Sequence, residues 1–470
     1  MFRTSLLAAL LATLPAMAQT ESSAPADCTV DGRLVDATSL KLDVSYRCRA
    51  TAAITFEPTD ERAGRFVSGL AVGQANGQAE ARYTFDLGGF ARATDSTSVA
   101  VARGGSVLAG LGTWLLEPRG FDRPPVIDLH ITTPPDLGFV AGLPKVGEAW
   151  RLAGAPVRFA GFSAFGRLSY HELPVPAPGS LRPGQPRHEG VLRLALLDGF
   201  AEALRADLVD WVRRTAEAEA NYWQGYTAID SLVVLVPSAG RRGVGFGRAE
   251  GGGGVSVMVE VGTDADRRRL FDDWVLVHEL IHTGMPYVRG RASWLMEGAA
   301  TYVEPIIRAR AGWKTEDEVW REWIDNMPQG VPAFAGGLAT ASGRDRYWAG
   351  ALFMLLADLA IRRDSDGAMG LEDCLKGVLW SGLGAAQSTS VADFAAVCDR
   401  ATGTKAMQTL VQRHFVGAEP VDLAALWRQI GIALVDGRIV RDESAPAARW
   451  RRLIVPGSGP PRPVKLPWQS

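Results

Sequence analysis

Residues 278–282 read His278-Glu279-Leu280-Ile281-His282, and Trp294-Leu295-Met296-Glu297-Gly298-Ala299-Ala300-Thr301-Tyr302 follows soon after. On a helix, residues four apart share a face, so His278 and His282 can aim two imidazoles at one point. Glu279 is turned partly aside from that pair and can reach a water held there. Glu297 is a candidate third ligand. Three protein ligands with an open fourth position describe a catalytic zinc site, whereas a structural site is closed by four. The pattern therefore predicts one Zn²⁺ per chain on His278, His282 and Glu297.

The flanks add weight. Trp274, Val275, Leu276, Val277, Leu280 and Ile281 make this helix apolar almost all round, and such a helix is buried. Buried histidines and a buried glutamate need partners. The plainer alternative is a pair of core histidines satisfied by hydrogen bonds, but a third ligand on a second helix favours a metal. With zinc in place, a coordinated water becomes acidic and a carbonyl is polarised. Glu279 would take the proton as general base and hand it to a leaving amine. The oxyanion needs a further donor. Tyr347 is the candidate, weighed against an ordinary core or surface tyrosine.

Outward from this centre, Asp264 to His282 reads as one helix, broken by Gly284, Pro286 and Gly290. Ser293 is the expected N-cap of the helix carrying Glu297. Upstream, Val191–Leu197, Leu232–Val236 and Val255–Val261 read as strands. Phe200–Tyr222 has apolar residues at helical spacing (Leu204, Leu208, Trp211, Val212). The glycine-rich stretch Gly240–Gly254 lacks the Gly-Lys-Ser/Thr ending of a phosphate loop and opens no helix in a βαβ unit, so it reads as a flexible loop beside a strand.

From Cys28 to about Leu173 short alternating runs dominate, such as Leu40–Tyr46 and Val126–Ile131, which predicts strands. Five prolines between Pro174 and Pro186 mark a linker. The pattern is helical from Asp345 to about Leu434, and Gly457–Ser470 is a proline-rich tail. The expected fold class is α+β. A signal peptide (1–18) precedes a β-sandwich-like N-terminal domain with its linker (19–187). An α/β zinc-binding catalytic domain (188–330), a helical domain (331–436) and a C-terminal tail (437–470) follow.

A chain of 470 residues suits two or three domains. Hydrophobic content of 47% and charged content of 22% are ordinary for a soluble globular protein. A formal charge of -2 gives no support for nucleic-acid binding or for a basic membrane-surface protein. Arg3, the apolar run Leu6–Pro15 and Ala16-Met17-Ala18 have the form of a signal peptide. The run is short for a membrane anchor, and no later stretch is long and apolar enough to span a bilayer. No cysteine stands at the cleavage point for lipid attachment. The expected location is periplasmic or secreted. In an oxidising compartment four cysteines suggest two disulfides. Cys28–Cys48 and Cys374–Cys398 are favoured, because the other two pairings would cross between domains.

The stretch from His278 to Tyr302 resembles the gluzincin metallopeptidases. Tyr347-Trp348-Ala349-Gly350-Ala351-Leu352-Phe353-Met354-Leu355-Leu356-Ala357-Asp358-Leu359-Ala360-Ile361-Arg362, with Gly370-Leu371-Glu372-Asp373 and Phe415-Val416-Gly417-Ala418-Glu419-Pro420, is similar to the glycyl-aminopeptidase family. The resemblance covers the C-terminal half well and the N-terminal half only in general. It implies a thermolysin-like catalytic domain and Tyr347 as the oxyanion donor. It also implies a peptide or protein substrate laid along an edge strand, with a glutamate before that strand holding a free amine. Glu250 would be that anchor, and Val255 and Val257 would lie on the substrate strand. Three departures stand out. The connection from His282 to Glu297 is short, Thr301 stands where many gluzincins place a carboxylate supporting a ligand histidine, and the short tail after the helices is expected to leave no room for the family's PDZ domain. The expected function is an exported zinc metallopeptidase, with aminopeptidase action as one form of it. The alternative is an envelope binding or scaffold protein that keeps the fold and zinc without turnover.

Overall fold

The structure is a computed structural model, and it describes residues 25–36, 38–49, 52–175 and 189–455. The expected signal peptide, most of the proline-rich linker and the stretch 457–470 lie outside the described residues.

The N-terminal region is built from alternation. In Lys41–Arg49 the residues Leu42, Val44, Tyr46 and Cys48 are buried while the residues between them face outward. That period of two buries one face of a sheet. This strand pairs antiparallel with Cys28–Leu34, which pairs parallel with Ile127–Thr132. They belong to a seven-stranded sheet that shares one core with residues of a four-stranded sheet, including Tyr46, Phe85, Val107, Trp114 and Phe165. Two buried phenols meet the demand for partners by donating to backbone carbonyls, Tyr46 to Leu116 and Tyr83 to Trp114, each at 2.8 Å. Cys28 and Cys48 face each other across the antiparallel pair and are disulfide-bonded.

A five-stranded sheet follows, in the order Leu168–Val175, Gly190–Leu197, Asp230–Ser238, Val255–Gly262, Val244–Gly251. Its three inner strands run parallel and its two edges antiparallel. Helix Glu202–Trp223 makes the first parallel crossover. Both faces are covered, which is why Leu232–Val236 is apolar without alternation. Val233 and Leu235 meet Leu208 and Trp211 of that helix. Leu232, Val234 and Val236 meet Leu108 and Phe162 of the four-stranded sheet.

The expected flexible loop Gly240–Gly254 is mostly a strand. Val244–Gly251 pairs with Val255–Gly262 through a bulge between Val244 and Gly247. Gly252 and Gly253, at φ 110° and 75°, make the turn between them.

The C-terminal part is helical around one large core that includes Trp294, Trp320, Trp323 and Phe353. A disulfide joins Cys374 to Cys398, on helices Leu371–Trp380 and Val391–Thr402. Residues 437–455, expected as the start of a tail, are folded. Arg438–Arg441 closes a hairpin with Ile432–Val435, and helix Ala448–Ile454 sends Trp450 and Ile454 into the core. Their apolar surface is better removed from water than left in a tail.

One buried acid gives this fold a pH dependence. Glu219 is 1% exposed. Its Oε2 accepts from Trp223 Nε1 at 3.1 Å, and its Oε1 has no partner among the described residues. Burial raises its pKa well above the ordinary 4.5; the Trp223 bond opposes this and the charge of Glu304 adds to it. In the window above 4.5 the folded chain therefore holds a proton that the unfolded chain has lost. The stability from this group is full below the unfolded value and is lost as pH rises through the folded value. Glu219→Gln is expected to raise the melting temperature at pH 8 by at least about 2 °C and to change it little at pH 4.5. Equal shifts at both pH values would remove Glu219 as the source.

Candidate metal centre and active site

The helix that carries both histidines is Val275–Thr283. The single helix expected from Asp264 is instead two, Arg267–Phe271 and Val275–Thr283. Asp273 causes the restart, since its Oδ1 accepts from the Val275 amide at 2.7 Å and so satisfies an N-terminal donor. Glu297 lies on helix Ser293–Arg310. Ser293 is already helical, and Ala292 holds the cap position without a side-chain bond.

The two helices bring the predicted ligands together. One donor atom from each of His278, His282 and Glu297 lies within 4.8 Å of the other two. Glu297 Oε2 is 3.2 Å from His278 Nε2 and 3.5 Å from His282 Nε2. Two imidazole nitrogens and one carboxylate oxygen converging on one point are a donor set that suits Zn²⁺. Burial pushes the Glu297 carboxyl up, but the bonds from His278 and His282 outweigh it and hold it well below the usual carboxylate range. Burial disfavours the His282 cation, yet the Glu297 bond and the charge of Glu279 leave its pKa raised.

Tyr347 sits in the first turn of helix Asp345–Asp364, with its ring 6.0 Å from the His278 ring. Burial, then the charge of Glu297, raises its pKa. Its placement depends on two glycines. A Cβ on Gly350 would stand 1.9 Å from the Trp294 carbonyl oxygen, and one on Gly298 would stand 2.2 Å from Gly350 Cα. The Glu297 and Tyr347 helices therefore touch backbone to backbone.

Glu279 faces the edge strand. A Cβ on Gly247 would lie 2.7 Å from Glu279 Cγ and 2.6 Å from Val275 Cγ1. Gly247→Ala must displace the Glu279 side chain, and a misplacement near 1 Å can cost about 10²-fold in rate. A loss of that order in kcat, at unchanged metal content, is the expected result; kcat within twofold of wild type would refute the contact's importance.

The substrate-strand residues need correction. Val255–Gly262 is paired on both sides, with Asp230–Ser238 and with Val244–Gly251. It has no free edge, and Val255 and Val257 are buried. Of the two edge strands of this sheet, Val244–Gly251 is the one that lies against Val275 and Glu279 of the histidine helix. Glu250 lies on that strand rather than in a loop and accepts from Arg248 Nε at 2.5 Å. Among the described residues it makes no hydrogen bond or ion pair with His278, His282, Glu297 or Tyr347. Thr301 donates to the Glu297 carbonyl at 2.7 Å, so its hydroxyl serves its own helix.

Sequence reasoning missed Arg346. Its Nη2 donates to Glu297 Oε1 at 3.2 Å and to the Tyr347 hydroxyl oxygen at 3.3 Å. The available signal was a cation in the first turn of a helix, where the macrodipole disfavours positive charge. Trp274 was also missed as a site residue. Its ring meets His278 edge-on at 5.1 Å, and it lines a cavity of about 500 Å³ with Trp348, Arg308 and Lys314.

No family model and no curated protein matches the chain. Among solved structures it is similar to an aminopeptidase N family protein from Idiomarina loihiensis, with a TM-score of 0.62. Sequence identity is 15%, and the match covers 86% of this chain and 78% of that one. The shared property is the fold, of mixed α/β character.

Proposed function

We propose that the chain is an exported zinc metallopeptidase of gluzincin type, with a thermolysin-like catalytic domain. The observation that carries this reading is the convergence of His278, His282 and Glu297, with Glu279 and Tyr347 beside it. A zinc ion held by those three residues would supply an acidified water and a Lewis acid. Glu279, outside the ligand set, accepts the proton from the attacking water and returns it to the amine as the peptide bond breaks. Tyr347 donates to the developing oxyanion. The open side of Val244–Gly251 offers backbone groups to an extended peptide, and the cavity at Trp274 receives one of its side chains.

Export is supported by the two disulfides, and no helix among the described residues is long and apolar enough to cross a membrane. Aminopeptidase action rests on Glu250, which must leave Arg248 to bind a substrate amine. A chelator is expected to abolish cleavage of a peptide mixture, and added zinc to restore it. Free N-termini should be cut at least about tenfold faster than acetylated ones if Glu250 contributes a charge-assisted bond. Cleavage indifferent to chelation would sink the metallopeptidase reading. Equal rates on blocked and free peptides would leave an endopeptidase.

A further inference from the structure

We propose that Arg346 is a positioning residue that sets Glu297 and the Tyr347 hydroxyl through a single guanidinium nitrogen; this rests on the zinc peptidase reading. Nη2 carries two hydrogens and has two acceptors, Glu297 Oε1 at 3.2 Å and the Tyr347 oxygen at 3.3 Å. Both consequences follow from donor direction. Glu297 is divided, with Oε1 held by Arg346 and Oε2 left facing His278 and His282. Tyr347 accepts with its oxygen, so its own proton is free to be given away.

The surroundings leave this task to Arg346. A carboxylate that binds a metal is ordinarily held by a further partner. Among the described residues the Glu297 carboxylate has hydrogen-bond or ion-pair partners in His278, His282 and Arg346. Thr301, one turn on, reaches only the backbone carbonyl of Glu297. The guanidinium also lies over the Tyr347 ring, 5.1 Å from its centroid. Its Nε is buried without a hydrogen-bond partner among the described residues, and the cation stands at the unfavourable end of its helix. Both local costs are offset by contacts that lie entirely within the site, which is where such conflicts are expected.

The test compares full-length wild type with Arg346→Met and Arg346→Lys. Zinc affinity is measured by competition with a chromophoric chelator, and kcat and KM on one peptide at saturating zinc. The side chain is 34% exposed, so the metal-free variants should melt with the wild type; Arg346→Lys is the fallback if Arg346→Met does not fold. Arg346→Met is expected to weaken zinc binding about tenfold and lower kcat about 10- to 100-fold, with KM within about threefold. Arg346→Lys, keeping the charge without the fork, should fall between. Either zinc affinity or kcat within twofold of wild type in Arg346→Met overturns the proposal. A wild type that binds no zinc or cleaves nothing instead sinks the peptidase reading, and the proposal with it.

Discussion

Glu279→Gln is expected to lower kcat by about 10²- to 10⁴-fold, the range that a general base contributes, while zinc content stays the same. The separation follows from geometry. The ligand atoms that converge belong to His278, His282 and Glu297, and Glu279 is not among them. Glutamine keeps the shape against Gly247 and removes only the ability to take a proton. Metal analysis and a peptide-mixture assay on the same preparation read both quantities. Undiminished cleavage in the variant would rule out the water-activation mechanism. Zinc without cleavage in the wild type would favour the binding or scaffold alternative.

Asp358→Ala should cost about 3–5 kcal/mol of stability, the usual penalty for stripping one partner from a buried ion pair. Asp358 is 2% exposed and Arg362 5%. Its Oδ1 is 2.8 Å from Arg362 Nε and accepts from the Leu371 amide at 2.9 Å. Its Oδ2 accepts from the Tyr302 hydroxyl, also at 2.9 Å. One carboxylate thus joins the Glu297 helix, the Tyr347 helix and the start of helix Leu371–Trp380. Alanine removes the carboxylate beside the Arg362 cation and leaves a phenol and an amide without their acceptor. Urea unfolding measures the loss, and a change below about 1 kcal/mol would mean that the surroundings relax around the missing group.

How much of this was legible depends on whether the cause is local. His278, His282 and Glu297 were readable because helical spacing places the two imidazoles on one face without help from the rest of the chain. Tyr347 lies far along the sequence, so the residues alone offer it only as a candidate beside an ordinary tyrosine, and the family resemblance is what favours it. The glycines of Val244–Gly251 give it the look of a loop in the sequence, because glycine is poor at forming strands. It is a strand through pairing with Val255–Gly262, and its glycine at 247 makes room for Glu279. The break at Asp273 turns on one side-chain bond to one amide. Arg346 shows in the sequence only as a cation in a first helical turn, because its pairing with Glu297 is set by the crossing of two helices. The edge position of Val244–Gly251 needed the strand order, which alternation alone does not encode.

The crossing at Gly298 and Gly350 bears on how the protein would lose activity when heated. Where helices meet through side chains, a site can loosen by rotamer changes well before the fold gives way. Here backbone meets backbone, and the main chains that carry Glu297 and Tyr347 can separate only if the helices themselves part. Those helices contribute Trp294, Tyr302 and Phe353 to the largest core, so parting them is cooperative unfolding of that core. Thermal separation of these two main chains should therefore coincide with the melting transition of the helical region, in one step with the core that Trp294, Tyr302 and Phe353 share.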